Sequence, residues 1–153
     1  MTDVDAIAGT ENGSFDGGCH CGAVRFTVQG PLWQILICHC SDCRNLAGNS
    51  WASTAVADGN CRMIKSEALK WYKSSSWATR GFCGECGAQM FYKVNDGSEF
   101  SVAAGMLDEE LGLRAAGQIF AGSLPEWCHP DGSLPHLDDQ LLEAYQDGTP
   151  EKP

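Results

Sequence analysis

The sequence lacks any apolar run long enough to cross a bilayer, which requires about 18 consecutive apolar residues. Its longest apolar stretch, 32–38, is interrupted by Gln34. The first fifteen residues combine Asp, Asn, Gly, Thr and Ser without a basic start or an apolar block, so we expect no secretory signal there. These absences predict a cytoplasmic protein with no membrane partner.

Basic residues are also scarce. Ten Lys and Arg stand against twenty Asp and Glu, which gives a formal net charge of -10. A surface of that sign repels the phosphate backbone of nucleic acids at long range. Screening over about 8 Å at physiological salt still lets one arginine dominate its own pocket. The charge therefore speaks against nucleic acid as a partner and leaves a small anionic substrate open.

The length and composition predict one folded domain. The chain has 153 residues, 43% of them hydrophobic, which suits a single core. We predict one zinc-binding domain over 17–147, with flexible ends at 1–16 and 148–153. Short segments rich in Val, Thr, Tyr, Trp and Phe between glycine turns indicate mostly β structure. The predicted strands are 23–28, 32–37, 51–57, 69–73, 90–94 and 99–104. Two helices are predicted. Ser41 can cap the first, which runs through about Ala47 and is closed by Gly48, and Asp138 or Asp139 can cap the second.

Cysteine, by contrast, is abundant. Seven of the nine cysteines fall into tight groups, Cys19-x-Cys21, Cys38-x-Cys40-x-x-Cys43 and Cys83-x-x-Cys86. Thiols stay reduced where export is not expected, and an odd total fits disulfides poorly, so the groups indicate metal ligands. Such spacing lets neighbouring thiolates converge on one ion. Gly22 and the glycines of 83–87 permit the positive φ angles at which backbone N–H groups point back at the sulfurs.

The seven grouped cysteines divide into a set of four and a set of three. The four-cysteine cluster consists of Cys19, Cys21, Cys83 and Cys86. Four protein ligands complete a tetrahedral zinc site and leave no position for substrate, which is the mark of a structural site. The three-cysteine cluster consists of Cys38, Cys40 and Cys43. Three protein ligands with an exchangeable fourth position are typical of catalytic zinc, so we predict two zinc ions per chain.

Several alternatives stay open from the residues alone. Cys61 or Cys128 could complete a second four-cysteine site, although buried free cysteines most often act as small hydrophobic residues. A four-cysteine set also serves iron–sulfur clusters. His20 and His39 lie between paired cysteines, so we expect their side chains to project away from the metal, at the surface or behind the ligands.

The grouped segments resemble those of a known family, the glutathione-dependent formaldehyde-activating enzymes, which include centromere protein V. The matching segments, in the family's order, are 18–26, 38–44, 80–87, 105–108 and 125–127. The resemblance implies an all-β, tent-like fold of coiled hairpins around a structural zinc, with a separate catalytic zinc. It also implies a carbon–sulfur lyase that joins the glutathione thiol to formaldehyde.

Our leading hypothesis is a zinc-dependent carbon–sulfur lyase. A substrate thiol such as glutathione would occupy the fourth position at the three-cysteine cluster, lose its proton and attack a small carbonyl. Arg44 is the candidate clamp for a substrate carboxylate, because its planar fork makes bidentate contacts, with a helix-surface arginine as the equal alternative. Trp51 and Trp127 are candidate pocket residues, although large aromatics more often serve a core. The competing function is a non-catalytic, zinc-stabilised binding module.

Overall fold

A computed structural model describes residues 12–97 and 100–137. These residues form ten strands in two sheets, one α-helix and two single-turn 3-10 helices. In chain order the elements are β1 (Ser14–Gly18), β2 (Arg25–Gln29), β3 (Ile35–Cys38), α1 (Ser41–Ala47), β4 (Trp51–Val56), β5 (Cys61–Lys65), β6 (Leu69–Lys73), β7 (Ala78–Cys83), β8 (Gln89–Val94), β9 (Phe100–Ala103), the 3-10 turn Ala104–Met106, β10 (Ala115–Ile119) and the 3-10 turn Ala121–Ser123. The expected all-β fold is confirmed. The α-helix is too short to cross a membrane, and no other described helix is long and apolar enough.

The strands make a small sheet and a large sheet. The small sheet has the order β1-β2-β5, and the large sheet has the order β10-β3-β4-β9-β8-β7-β6. Neighbouring strands run antiparallel except for β10 and β3, which are parallel. In β2, buried Phe26 and Val28 alternate with the more exposed Arg25 and Thr27, the pattern of a half-buried strand. One face of the small sheet, which carries Phe26 and Val28, is therefore buried in the core.

The main hydrophobic core joins the two sheets. Phe26 from the small sheet packs edge-on against Phe91 of β8, with ring centroids 5.1 Å apart. Phe91 in turn lies 5.3 Å from the ring of Phe100 in β9. Two cysteines, Cys19 and Cys83, belong to the same buried cluster. The apolar contact between the sheets thus reaches the four-cysteine cluster directly.

The helix α1 forms where the sequence predicted it and ends as predicted, but it begins one residue earlier because its N-cap differs. It ends at Gly48, whose φ of 80° gives the left-handed conformation that the sequence predicted. The capping residue is Cys40 rather than Ser41, because the Cys40 sulfur accepts a hydrogen bond from the backbone N–H of Cys43. The cap of this helix is therefore also a member of the three-cysteine cluster.

Four strands escaped prediction from the sequence: β1, β5, β7 and β10. β1 begins at Ser14, inside the segment assigned to the N-terminal tail, and pairs with β2 over its whole length. β1 and β10 each contain glycine, which weakens the sequence pattern of a strand. Neither position has room for a side chain, because a Cβ at Gly17 would lie 2.5 Å from the Met106 carbonyl oxygen, and one at Gly117 would lie 2.3 Å from Leu137. Close packing there requires a residue with low strand propensity. The predicted helix from Asp138 or Asp139 lies outside the described residues, and the domain limits 17 and 147 stay predictions.

Candidate metal centres

The four sulfurs of the four-cysteine cluster converge as the sequence predicted. All four lie within 4.8 Å of one another. The Cys19 and Cys21 sulfurs are 3.6 Å apart, and those of Cys21 and Cys83 are 3.8 Å apart. All four thiols are free rather than paired in disulfides. Four convergent free thiols form a group that could hold one metal ion.

Glycine turns shape both halves of this cluster. Gly22 follows Cys21 with a φ of 77°, and Gly87 follows Cys86 with a φ of 75°. The expected positive φ is confirmed at these two positions and is wrong for Gly84, where φ is not in that range. The turns aim backbone donors at sulfur, since the Val24 N–H lies 3.2 Å from the Cys19 sulfur.

Backbone donors help to favour the thiolate form of Cys19 and Cys86. At Cys21 the backbone hydrogen bond from Ala23 lowers the pKa, but burial and the neighbouring thiols outweigh it and raise the pKa to about 12. Hydrogen bonds from the backbone of Ala88, and next from that of Cys21, lower the pKa of Cys86 to about 6. Burial raises the pKa of Cys19, but the hydrogen bonds from the Val24 N–H and from the side chains of Cys21 and Cys83 together outweigh burial and lower that pKa. Thiolate is the form that binds metal, so the local backbone is preorganised for a cation.

The four-cysteine cluster joins the two sheets. Cys19 and Cys21 lie in the turn between β1 and β2 of the small sheet, whereas Cys83 ends β7 and Cys86 lies in the turn to β8 of the large sheet. Cys21 and Cys83 are 62 positions apart in the chain. Cys19 and Cys83 are buried, and the other two are exposed. A metal ion here would hold the sheets together from the edge of the core.

The three-cysteine cluster forms at the junction of β3 and α1. Cys38 is the last residue of β3, Cys40 caps α1, and Cys43 lies in its first turn. Their sulfurs also lie within 4.8 Å of one another. The junction is fixed from both sides, because Cys38 pairs with Trp51 of β4 and with Ile119 of β10. The sequence prediction that these three thiols converge agrees with this geometry.

The three sulfurs are crowded enough to oppose each other's ionisation. Hydrogen bonds from the side chains of Cys38 and Cys43 lower the pKa of Cys40 to about 2, and the hydrogen bond with Cys40 raises the pKa of Cys38. One thiol therefore ionises at the expense of its neighbours, as expected when like charges share a site. All three can be thiolates together only if a cation neutralises them. Three convergent soft sulfur donors fit a thiophilic ion such as zinc.

Arg80 lies beside this cluster, and reasoning from the sequence missed it. Its guanidinium is buried, and one terminal nitrogen lies 3.5 Å from the Cys43 sulfur. The guanidinium carbon lies 6.0 Å from the ring centroid of Trp51 and 5.0 Å from that of Tyr92. The burial of Arg80 follows from the alternation of side chains in β7. Residues two apart in a strand share a face, so the burial of Ala78 places Arg80 on the buried face as well. Without β7 among the predicted strands, that inward direction stayed hidden.

His39 lies behind the ligands in a buried polar network. Its Nε2 lies 3.1 Å from the Gln118 side-chain oxygen. The amide nitrogen of Gln118 donates to the carbonyls of Asp131 and Leu134, at 2.7 and 3.2 Å, so its oxygen is the acceptor and Nε2 of His39 carries the proton. His39 is 6% exposed, which rules out the surface alternative, whereas His20 is exposed. Neither histidine joins the sulfur groups.

The remaining predicted residues take different positions. Arg44 donates to the Ser123 carbonyl and so ties α1 to the 3-10 turn Ala121–Ser123. Trp51 is buried against Cys43, whereas Trp127 is 67% exposed. Cys61 packs against the main core, where burial raises its pKa to about 12.

The Cys128 sulfur lies 3.8 Å from the Asn49 side-chain oxygen. Within 12–97 and 100–137, neither Cys61 nor Cys128 joins the three-cysteine cluster, so the alternative of a second four-cysteine site is wrong there.

Comparison with known proteins identifies the family of this chain. The sequence model of a family described as glutathione-dependent formaldehyde-activating enzyme matches residues 14–123, which include all seven grouped cysteines. The chain belongs to this family. The predicted resemblance to the glutathione-dependent formaldehyde-activating enzymes is thereby confirmed.

Curated relatives and a solved structure extend the comparison. A Schizosaccharomyces pombe protein described as an uncharacterized lyase is 28% identical over 87 residues, which are 54% of this chain and 60% of the relative. A Halomonas elongata protein that carries the family's name is 32% identical over 84 residues, 50% of this chain and 54% of the relative. The chain thus spans less than two thirds of either relative. A crystal structure of a Rhodobacter sphaeroides protein, 24% identical, shares the fold with a TM-score of 0.53 over 62% of this chain and 89% of that one.

Proposed function

We propose that the three-cysteine cluster is the reaction site of a zinc-dependent carbon–sulfur lyase. The reaction adds a thiol such as glutathione to a small carbonyl such as formaldehyde, or releases it again. The observation that carries the proposal is a group of three convergent sulfurs that no fourth Cys, His, Asp or Glu joins among the described residues. Family membership and the lyase description of one relative support the same class of reaction.

The reaction needs little from the protein beyond a positioned thiolate. The S–H bond of the thiol breaks and an S–C bond forms, while the π electrons of the carbonyl move to its oxygen, which takes up the proton. Zinc held by Cys38, Cys40 and Cys43 would lower the pKa of a thiol bound in the remaining position, so that thiolate is present at neutral pH. The three cysteines fix that position on two rigid elements, the end of β3 and the start of α1.

We propose a structural role for zinc at the four-cysteine cluster. Four sulfurs complete the tetrahedral coordination that zinc prefers, so no position remains for a substrate. The cluster bridges the two sheets at the edge of the core, where a metal ion closes a long loop of chain. This placement suits stabilisation rather than chemistry.

Arg44 is proposed to bind a carboxylate of the substrate. The guanidinium has five N–H donors, and the Ser123 carbonyl accepts from one of its terminal nitrogens. Arg44 follows Cys43 directly in α1, so its backbone adjoins the three-cysteine cluster, and the donors that do not reach Ser123 are available to a substrate. Glutathione carries two carboxylates, either of which could accept from this fork.

The proposal is tested by measuring thiol addition with the zinc-loaded protein. Exchange between formaldehyde hydrate and the S-hydroxymethyl adduct of glutathione can be followed by NMR against the uncatalysed rate. We expect acceleration by the parent protein and by Cys61→Ser, whose thiol joins neither sulfur group. A zinc-loaded parent that leaves the exchange rate unchanged for glutathione and for a panel of small thiols and aldehydes would contradict the proposed function. Iron in place of zinc on elemental analysis would contradict the choice of metal.

A further inference from the structure

Arg80 is a buried cation that takes part in neither ion pair of residues 12–97 and 100–137. Arg80 is 5% exposed, and its Nε has no hydrogen-bond partner among the described residues. Its guanidinium donates a hydrogen bond to the sulfur of Cys43.

Such an arrangement requires a negative charge next to the guanidinium. An arginine stays protonated in proteins, and burying its charge without an anion is strongly unfavourable. The faces of Trp51 and Tyr92 contribute cation–π attraction but do not neutralise the charge. The Cys43 sulfur can do so as a thiolate, at a hydrogen-bonding distance of 3.5 Å. Arg80 and the three-cysteine cluster therefore form one charge-balanced unit.

The net formal charge of the metal-loaded cluster indicates the role of Arg80. Three thiolates around a divalent cation leave about -1, and an added substrate thiolate would bring the site to about -2 in a partly buried setting. With Arg80 the sums become about 0 and about -1. We propose that Arg80 is a positioning residue that acts through Cys43 to let the cluster accept an anionic thiolate as its fourth ligand. This inference rests on the proposed function.

Arg80 and Arg44 have separate parts in this scheme. Arg44 lies on α1 and reaches outward to the Ser123 carbonyl, whereas Arg80 is buried on β7 and reaches the Cys43 sulfur. Arg80 would thus discriminate by the charge of the ligand atom that enters the cluster, and Arg44 by carboxylates elsewhere on the substrate. Only the first effect applies to a thiol that has no carboxylate.

The test compares a ligand that binds as an anion with one that binds neutral. Cobalt(II)-substituted protein is titrated with 2-mercaptoethanol and, separately, with imidazole, and the dissociation constants are read from the visible absorption of the metal. Arg80→Met removes the charge and keeps much of the side-chain length. We expect it to weaken 2-mercaptoethanol binding by roughly 10- to 100-fold, and imidazole binding by less than about threefold. Arg62→Met, at an exposed position on β5, is the matched control and should change neither constant.

Arg80→Lys keeps a cation and provides a second reading if Arg80→Met does not fold. The Lys variant should keep the preference for 2-mercaptoethanol over imidazole within about tenfold of the parent. Equal losses for both ligands in Arg80→Met, or a Lys variant that loses the preference entirely, would overturn the inference. A parent protein that responds to imidazole but not to 2-mercaptoethanol would instead overturn the proposed function.

Discussion

The two cysteine clusters use the same ligand atom in opposite structural settings. The four-cysteine cluster draws on chain segments 62 positions apart and shares two of its residues with the main core. The three-cysteine cluster lies within six consecutive residues, 38–43, and packs in a small separate group with Trp51 and Ala103. A metal ion that closes a long loop constrains the fold, whereas one that closes a short loop constrains little. Loop length therefore separates the proposed structural site from the proposed reaction site better than ligand type does.

The clusters also differ in how thiolate charge is balanced. In the four-cysteine cluster, backbone N–H groups such as that of Val24 point at sulfur and offer partial positive charge. The three-cysteine cluster has such a backbone donor too, the Cys43 N–H at the Cys40 sulfur, and in addition a full positive charge from Arg80 next to Cys43. Backbone dipoles fit a site whose charge stays constant, and a formal charge fits a site that must accept a further anion. The two settings agree with the two proposed roles.

The largest effect should follow from opening the four-cysteine cluster. Cys83→Ser removes a proposed ligand that is fully buried and lies where the two sheets meet. Structural zinc contributes on the order of 10 kcal/mol of folding free energy, so we expect the midpoint of thermal unfolding to fall by at least about 10 °C. Differential scanning calorimetry measures the change. Cys61→Ser is the control, because it alters a thiol packed against the same core without touching either cluster. Equal midpoints for Cys83→Ser and the parent would contradict a structural role.

Cys40→Ser should abolish turnover while the protein stays folded. Cys40 caps α1 by accepting from the Cys43 N–H, and a serine oxygen can make the same bond, so the helix is preserved. We expect elemental analysis to give about two zinc ions per chain for the parent and about one for the variant. Calorimetry should place its midpoint within a few degrees of the parent. Unfolding as complete as that of Cys83→Ser would make the second site structural and remove the main support for an enzyme.

How far the sequence could go is clearest at these two clusters. Spacing alone divided the seven cysteines into a set of four and a set of three, and capping residues predicted α1 to within one residue of its start. Both succeed because ligand spacing and helix caps are local features. Arg80 and the His39–Gln118 contact were not predictable in this way, since each joins residues that are distant in the chain. β1 and β10 were hidden for a related reason, because Gly17 and Gly117 are set by what packs against them rather than by strand propensity.

A smaller effect should separate Arg44 from the chemistry of the cluster. Arg44→Gln removes the positive charge of this side chain but leaves the three cysteines in place. We expect the KM for glutathione to rise roughly 10-fold with little change in kcat, as for the loss of a charge-assisted contact. A thiol without carboxylates, such as 2-mercaptoethanol, is the matched substrate and should show an unchanged KM. An equal rise for both thiols would assign Arg44 to holding α1 against the Ser123 carbonyl instead.

The smallest effect concerns an ion pair between Arg25, in β2 of the small sheet, and Asp108, in the segment after β9 of the large sheet. The hydrogen bond from Arg25 lowers the pKa of Asp108, with burial acting in the opposite direction. A carboxylate whose pKa is lower in the folded state stabilises the fold above its unfolded pKa, about 3.9, and loses that contribution as the pH falls through the folded value. Asp108→Asn should therefore lower the unfolding midpoint by roughly 1 to 3 °C at pH 7, and the difference should shrink towards about pH 3. This pair links the small sheet to the segment that follows β9 of the large sheet, so its loss tests a contact between these parts of the fold that involves no metal. A loss as large as that of Cys83→Ser would mean that the sheets are held by charge rather than by the four-cysteine cluster.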